Sequence, residues 1–287
     1  MNQSIISLSG NRLKKMIQKS TSNPFFGVLT GTIVTALTQS SSGTTVLVVS
    51  LVNSGIINLY QATAVIMGAN IGTTFTGQLI AFDFYFMVPR LLFIGVLLFT
   101  LNLNYLTRHG GKLLIGFSCL FLGIKLMVYF LDPLKTMLGF KELILSVGNQ
   151  KMKGIAMGAS LTAIIQSSST GIALIQGLAH KGLLTLSCAM PIIMGLNIGT
   201  CATTLISSLA SDKNGKRSAL IHLLFNSIGV FVFYPFIDEF TSLIYHLTPS
   251  MPIKQISNAH SLFNIANTLL LFPCITLLVY ISKKIIR

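Results

Sequence analysis

The chain has 287 residues, of which 52% are apolar and only 9% charged, and its mean hydropathy is +0.76. A soluble domain carries roughly 25% charged residues, and one this poor in charge would aggregate through its exposed apolar surface, which excludes a soluble globular protein. The formal net charge of +14 does not describe a nucleic-acid-binding face, because the basic residues fall in short clusters between apolar stretches. Clusters of that kind flank membrane spans and set their orientation.

Residues 1–23 are polar and basic, with Arg12, Lys14, Lys15 and Lys19, and lack the apolar core of a cleavable signal. They read as a cytoplasmic or interfacial segment. Pro24 to Thr38 and Ser42 to Ile56 are apolar but cover only 15 residues each. At 1.5 Å per residue each gives about 22 Å of helix, short of the ~30 Å membrane core. Gln39, Ser40, Ser41 and Ser42 lie at their junction. The pattern predicts a re-entrant hairpin, two short helices meeting at a polar tip within the membrane. Gln61 to Phe82 is long enough to span, but Gly68, Asn70 and Gly72 weaken its middle. We expect a broken span, unwound over Asn70 to Thr73. Spans at 86–105 and 112–131 follow, and 134–150 is an amphipathic stretch placed on the membrane surface.

Gly154 to Leu209 then repeats Gly27 to Phe82 without a gap, at a constant offset of 127. Q-S-S-S recurs as Gln166, Ser167, Ser168 and Ser169, and N-I-G-T recurs from Asn197 to Thr200. A second hairpin (154–181) and a second broken span (186–210) are expected, then spans at 218–236 and 256–282. Within these last two, H-x-x-F-N occurs twice, at His222–Asn226 and His260–Asn264. His and Asn share a helix face at i, i+4. They either bond to neighbouring helices or help bind the ligand, with Asn226 and Asn264 as possible supporting residues. The division is 24–131 for repeat 1, 132–153 for an interfacial linker, 154–282 for repeat 2 and 283–287 for a cytoplasmic tail.

Each break in a membrane helix supplies two kinds of chemistry. The helix that starts there presents unpaired N–H groups and a positive dipole end, suited to an anion. The helix that ends there presents unpaired carbonyls, suited to a cation such as Na⁺. The candidate binding set is therefore Gln39–Ser42, Asn70, Thr73, Gln166–Ser169, Asn197 and Thr200. Sodium would be held by hydroxyls and carbonyls near Ser41, Asn70, Ser168 and Asn197. Asp83, Asp132, Glu142, Asp212, Asp238 and Glu239 all fall at segment ends, so no carboxylate proton relay is expected at mid-membrane. Arg90 and Lys125 lie near predicted span ends and are expected to snorkel. Cys119, Cys188, Cys201 and Cys274 lie in apolar segments without a C-x-x-C pair and read as small buried hydrophobes.

With the N-terminus inside, this order of elements inverts repeat 2 relative to repeat 1. Twelve basic residues then fall inside and six outside, in line with the positive-inside rule. The expected fold is an all-α membrane protein, an inverted-repeat transporter with two re-entrant helical hairpins and two broken transmembrane helices.

The paired Q-S-S-S, the paired G-x-N-I-G-T and the paired H-x-x-F-N resemble the type II sodium–phosphate cotransporter family in its short bacterial form, over nearly the whole chain from Pro24. The resemblance implies symport of inorganic phosphate with Na⁺ as coupling ion and no other cofactor, by a multi-pass protein of the bacterial inner membrane with both termini cytoplasmic. It carries the substrate and ion site onto the two Q-S-S-S blocks, with the N-I-G-T blocks completing it. The partners expected are phosphate, sodium and the bilayer, with no nucleic acid; a homodimer is expected from the transporter class alone. The sequence ends at Arg287 without the PhoU-like domain that follows the core in many bacterial relatives. It also lacks the aspartate that some relatives place within H-x-x-F-N; Leu223, Leu224, Ser261 and Leu262 stand there, so electroneutral transport is expected. The alternatives are another oxyanion or phosphate export on the same fold, or a channel. An intramembrane serine hydrolase using Ser41 or Ser168 lacks both a G-x-S-x-G elbow and an acid partner, so an enzyme is not expected.

Overall fold

The structure, a computed structural model, describes residues 20–82, 86–101 and 103–287. The N-terminal basic cluster and Asp83 lie outside the described residues. Among those described, regular structure is helical throughout. The first unit comprises α1 (Pro24–Thr38), α2 (Ser41–Asn53) and α3 (Leu59–Ala81). Then come α4 (Val88–Leu101), α5 (Tyr105–Tyr129) and α6 (Leu138–Asn149). The second unit comprises α7 (Lys151–Ile165), α8 (Ser168–His180) and α9 (Leu186–Ser208), and α10 (Lys213–Phe233), α11 (Ile237–Leu247), α12 (Pro252–Leu271) and α13 (Ile275–Ile285) complete the chain. Among the described residues four helical stretches are long and apolar enough to cross a membrane: Tyr105–Leu134, Leu186–Ser208, Lys213–Leu247 and Pro252–Ile285.

Each boundary of α7, α8 and α9 falls 127 residues after the matching boundary of α1, α2 and α3. Local chemistry explains the recurrence. Gln39 and Gln166 end α1 and α7 in the left-handed region, at φ 54° and 59°. Ser40 and Ser167 then cap α2 and α8, their side chains accepting from Gly43 N and Thr170 N, as serine does at helix starts. The far ends of α2 and α8 turn at Gly55 and Gly182, with φ of +68° and +70°. There Ile56 N donates to Leu51 O and Leu183 N to Leu178 O, each at 2.9 Å, the six-to-one bond of a Schellman turn.

The expected unwinding at N-I-G-T does not occur. Both α3 and α9 are continuous helices of 23 residues. Asn70 and Asn197 donate their amides to Ile66 O (3.0 Å) and Ile193 O (3.2 Å), one turn back on their own helices. The glycines serve packing instead of breaking the helix. A Cβ on Gly68 would overlap the Val28 carbonyl, and one on Gly195 the equivalent Ile155 carbonyl. On Gly72 a Cβ would sit 2.6 Å from the Thr32 oxygen. Thus α1 lies on α3, and α7 on α9, nearly backbone to backbone, the small-residue packing used between membrane helices. The opposite face of α1 exposes Phe25, Leu29, Ile33 and Leu37 at four-residue spacing.

The span expected at 86–105 is a shorter helix, α4, whose 14 residues give about 21 Å at 1.5 Å each. A capping box at Asn104, with Thr107 at its other end, starts α5 at once. Cys119 is exposed on α5, whereas Cys201 is buried and Cys188 and Cys274 are half-buried, so the expectation of four buried cysteines fails at Cys119.

Contacts between the units are reciprocal. Thr45 of α2 meets Thr204 of α9 at 2.9 Å, and the equivalent Ile172 of α8 packs on Gly77 of α3. Residue i meeting j while j′ meets i′ is the mark of a two-fold relation. The helices that enclose the two units are exchanged. α10 packs on α9 and α2, while α12 packs on α3 and α8. Their phenylalanines cross over: Phe225 belongs to the core cluster around α3, and Phe263 to the one around α9. Both partners of this pair, the two H-x-x-F-N helices, come from the second half of the chain, and α4 and α5 pack chiefly on each other.

The glycine packing is directly testable. In an exposed helix Gly→Ala gains about 1 kcal/mol of propensity, and Gly123→Ala, where a Cβ meets nothing within 4 Å, is expected to keep or raise the melting temperature. Gly195→Ala is expected to lower stability by about 1–3 kcal/mol through overpacking. Thermal unfolding of both variants in detergent checks the opposite signs.

Candidate substrate and ion site

The two Q-S-S-S junctions meet. Ser42 Oγ donates to the Gln166 backbone carbonyl at 3.3 Å, joining segments 124 residues apart. Thr76 of α3 ties both tips. Its Oγ1 donates to Gln39 Oε1 at 2.7 Å and accepts from Ser169 Oγ at 3.4 Å. The Gln39 amide donates back to the Ala36 carbonyl, which fixes the side chain that Thr76 reads. Ser41 and Ser168 occupy the first helical positions of α2 and α8, 9% and 3% exposed.

A helix start leaves its first N–H groups without intrahelical acceptors. Ser40 and Ser167 each take one of them, and the earlier ones, at Ser41, Ser42, Ser168 and Ser169, converge where the tips meet. Two positive dipole ends and serine hydroxyls therefore face one place, an arrangement that can hold an oxyanion. α1 and α7 end at the same place and bring carbonyl oxygens. Among the described residues no cluster of three His, Cys, Asp or Glu side chains could hold a metal, so a cation here would be held by neutral oxygens.

The remaining predicted residues stand apart from the tips. Asn70, Thr73, Asn197 and Thr200 are buried, and Thr73 and Thr200 donate to Ala69 O and Leu196 O on their own helices at 2.9 Å. They still border the site, since Gly72 lies against the last turn of α1 at Ala36. Asn226 donates to Cys201 Sγ (3.3 Å) and His222 O (3.2 Å), and Asn264 to His260 O (2.8 Å). The amide oxygens of both are buried without a partner.

Several polar residues escaped the motif reading. A chain of hydroxyls runs from Thr45 through Thr204 to His222 Nδ1, 3.0 Å beyond Thr204. It links the first Q-S-S-S helix to H-x-x-F-N. Thr35 Oγ1 donates to Thr44 Oγ1 at 2.9 Å and clamps the first tip. In the second tip the equivalent of Thr44 is Gly171, and Thr162 Oγ1 is buried without a partner. The two tips are thus equivalent in backbone and different in available oxygens.

A family model described as Na+/Pi-cotransporter matches residues 1–128 and 134–248. The chain belongs to the Na+/Pi-cotransporter family. This is a family of membrane transporters rather than enzymes. The chain is 29% identical over 273 residues to the uncharacterized protein YqeW of Bacillus subtilis, covering 95% of this chain and 88% of that one. It is 28% identical over 284 residues to YjbB of Salmonella typhimurium, a candidate inorganic phosphate export protein; 99% of this chain matches 52% of YjbB, so the chain spans about half the length of that relative. A stretch of 101 residues is 39% identical to the sodium-dependent phosphate transport protein 2A of Rattus norvegicus, covering 33% of this chain and 16% of that one. No solved structure matches the chain.

The meeting of the tips predicts that Ser42→Cys with Gln166→Cys, in a background freed of exposed Cys119, forms an intramolecular disulfide under mild oxidant. Mass spectrometry of the digested protein is expected to find the cross-linked peptide, and the two single variants are expected to lack it.

Proposed function

We propose that this chain is a sodium-coupled symporter of inorganic phosphate working by alternating access. The observation that carries the reading is the convergence of the two Q-S-S-S helix starts. Such starts bind phosphate oxygens through backbone N–H groups and the helix dipole, with the serine hydroxyls adding donors.

The reading takes α1–α2 and α7–α8 as re-entrant hairpins of an inverted repeat. Several contacts support it. The Asn58 cap that starts α3 adjoins the base of the first pair. The last turn of α3, Ile80 and Ala81, shares a cavity with the end of α8 at Gln176 and His180. The 23 residues of α3 span about 34 Å at 1.5 Å per residue, close to the ~30 Å bilayer core. The two pairs thus approach from opposite ends of a membrane-length helix and touch at their tips, as inverted repeats do around a midplane site. Lys213, Lys216, Arg217, Lys283 and Lys284 lie at the base of the first pair, where Asn53 accepts from Asp212 N. The positive-inside rule places that end, and both termini, in the cytoplasm.

Sodium acts as a second substrate. Carbonyl oxygens at the ends of α1 and α7, hydroxyls such as Thr162 Oγ1, and the unpartnered amide oxygens of Asn226 and Asn264 are neutral ligands suited to it. Its charge offsets that of phosphate when both are enclosed. The gradients set direction, so the export named for YjbB and the sodium dependence named for the rat protein are compatible with one mechanism.

The decisive measurement is uptake of radiolabelled phosphate into proteoliposomes with and without an inward Na⁺ gradient. Gradient-dependent, saturable uptake is expected. The double variant Ser41→Ala, Ser168→Ala is expected to raise the phosphate KM by about tenfold or more, each lost charge-assisted bond contributing ~1.5–3 kcal/mol at most, while eluting as folded protein. Wild-type uptake by that variant would sink the assignment.

A further inference from the structure

We propose that the cavity between α3, α5, α8 and α12 is the entrance by which phosphate reaches the tips, and that Lys125 captures the anion there. The inference rests on the transport reading and deepens it. The cavity encloses about 410 Å³ and is lined by Ile80, Ile124, Lys125, Gln176, His180 and Ile253 among others. A water takes about 30 Å³ of liquid, so a partly hydrated phosphate fits.

The inner wall of the cavity adjoins the site. Gln176 is 1% exposed, and its Nε2 donates to Gly77 O (3.1 Å), Ser257 Oγ (2.7 Å) and Ile253 O (3.3 Å). Gly77 follows Thr76, the residue that ties the two tips. Gln176 Oε1 is left without a partner. Hydrogen phosphate bears both a hydroxyl donor and acceptor oxygens. Gln176 Oε1 accepts the hydroxyl, and the Lys125 ammonium attracts the oxygens. Among the described residues no carboxylate lines the cavity. Lys181, next to His180, pairs with Asp132 at 2.9 Å and offsets that carboxylate.

The pseudo-two-fold identifies the cavity as one end of a path. Gln176, Gly177 and His180 correspond, 127 residues earlier, to Val49, Ser50 and Asn53. At that opposite end other groups join the helices. Asn53 Oδ1 accepts from Asp212 N at 2.6 Å, and Thr45 and Thr204 join at 2.9 Å. The two ends are thus joined by different bonds, and the cavity lies at the end away from the basic loops.

The test uses an anionic methanethiosulfonate reagent on Val128→Cys, which lines the same cavity and leaves Lys125 in place, in a Cys119→Ala background, with Cys119→Ala alone as the blank. The protein sits in nanodiscs and also carries Ser41→Ala and Ser168→Ala, so the readout needs no transport. Inorganic phosphate is expected to slow labelling several-fold. In proteoliposomes of otherwise wild-type protein, Lys125→Gln is expected to raise the phosphate KM by about five- to tenfold at low ionic strength without changing the maximal rate, an effect that salt screens away, and Lys125→Arg is expected to restore it. Labelling indifferent to phosphate, or an unchanged KM in Lys125→Gln, would overturn the proposal. So would labelling blocked by phosphatidylglycerol in the nanodisc whatever the phosphate concentration, which would assign the cavity to a lipid headgroup. Protection by phosphate in a protein that transports none would keep the anion site and remove the transport reading instead.

Discussion

A helix that stops leaves backbone donors and acceptors without intrahelical partners, and where such groups are buried, leaving them unpaired costs about 1–3 kcal/mol each. The fold is organised around two such stops, at Gln39 and Gln166. Left-handed glutamines turn the chain, and Ser40 and Ser167 take one N–H each. Ser42 of one tip bonds the Gln166 carbonyl of the other, and Thr76, reaching across from α3, holds the Gln39 side chain. Neither tip is complete alone. The unpaired groups that remain are concentrated where they meet, so the polar backbone that makes the fold costly is also what the proposed ligand site is built from.

The two-fold relation holds for backbone and fails for chemistry. Thr35 bonds Thr44 in one tip, while in the other the equivalent of Thr44 is Gly171 and Thr162 Oγ1 has no partner. Gln176 anchors the end of α8 to α3 and α12, where Val49 offers nothing equivalent on α2. Similar shapes with unequal bonding suit the alternating access proposed for this chain, because the two closures need not be equally stable. Exchange of the H-x-x-F-N helices binds the units further. Phe225 fills the core cluster around α3 and Phe263 the one around α9, so one helix of the pair is built into each unit.

Much of this was readable in the residues. Pro24 to Thr38 is helical as its apolar run and N-terminal proline imply, and the polar tetrapeptides mark the junctions because nothing else explains two short apolar segments in tandem. N-I-G-T misled for a physical reason. The propensity penalty of glycine is about 1 kcal/mol, and it is outweighed where losing the side chain lets two backbones touch. The clue was present in the spacing of Gly27 with Gly31 and of Gly68 with Gly72, small residues four apart on facing segments. Thr76, Gln176 and Thr204 carried no clue. Each is a single polar residue in a long helix, and only the fold shows what it meets. The same holds for Lys125, which reads from sequence as a snorkelling cation and lies in the structure at the wall of a cavity.

The exchange of α10 and α12 bears on how the protein is made. α3 ends at Ala81, but the helix that covers it, α12, ends at Leu271. At a synthesis rate of about 5–20 residues per second, α3 waits roughly 10–40 s for its partner. During that time its buried polar residues, Asn70 and Thr73 among them, depend on bonds within their own helix. The i−4 bonds that keep these side chains from reaching further in the finished protein are the ones already available to a nascent helix, so α3 has its polar side chains paired before α12 is made.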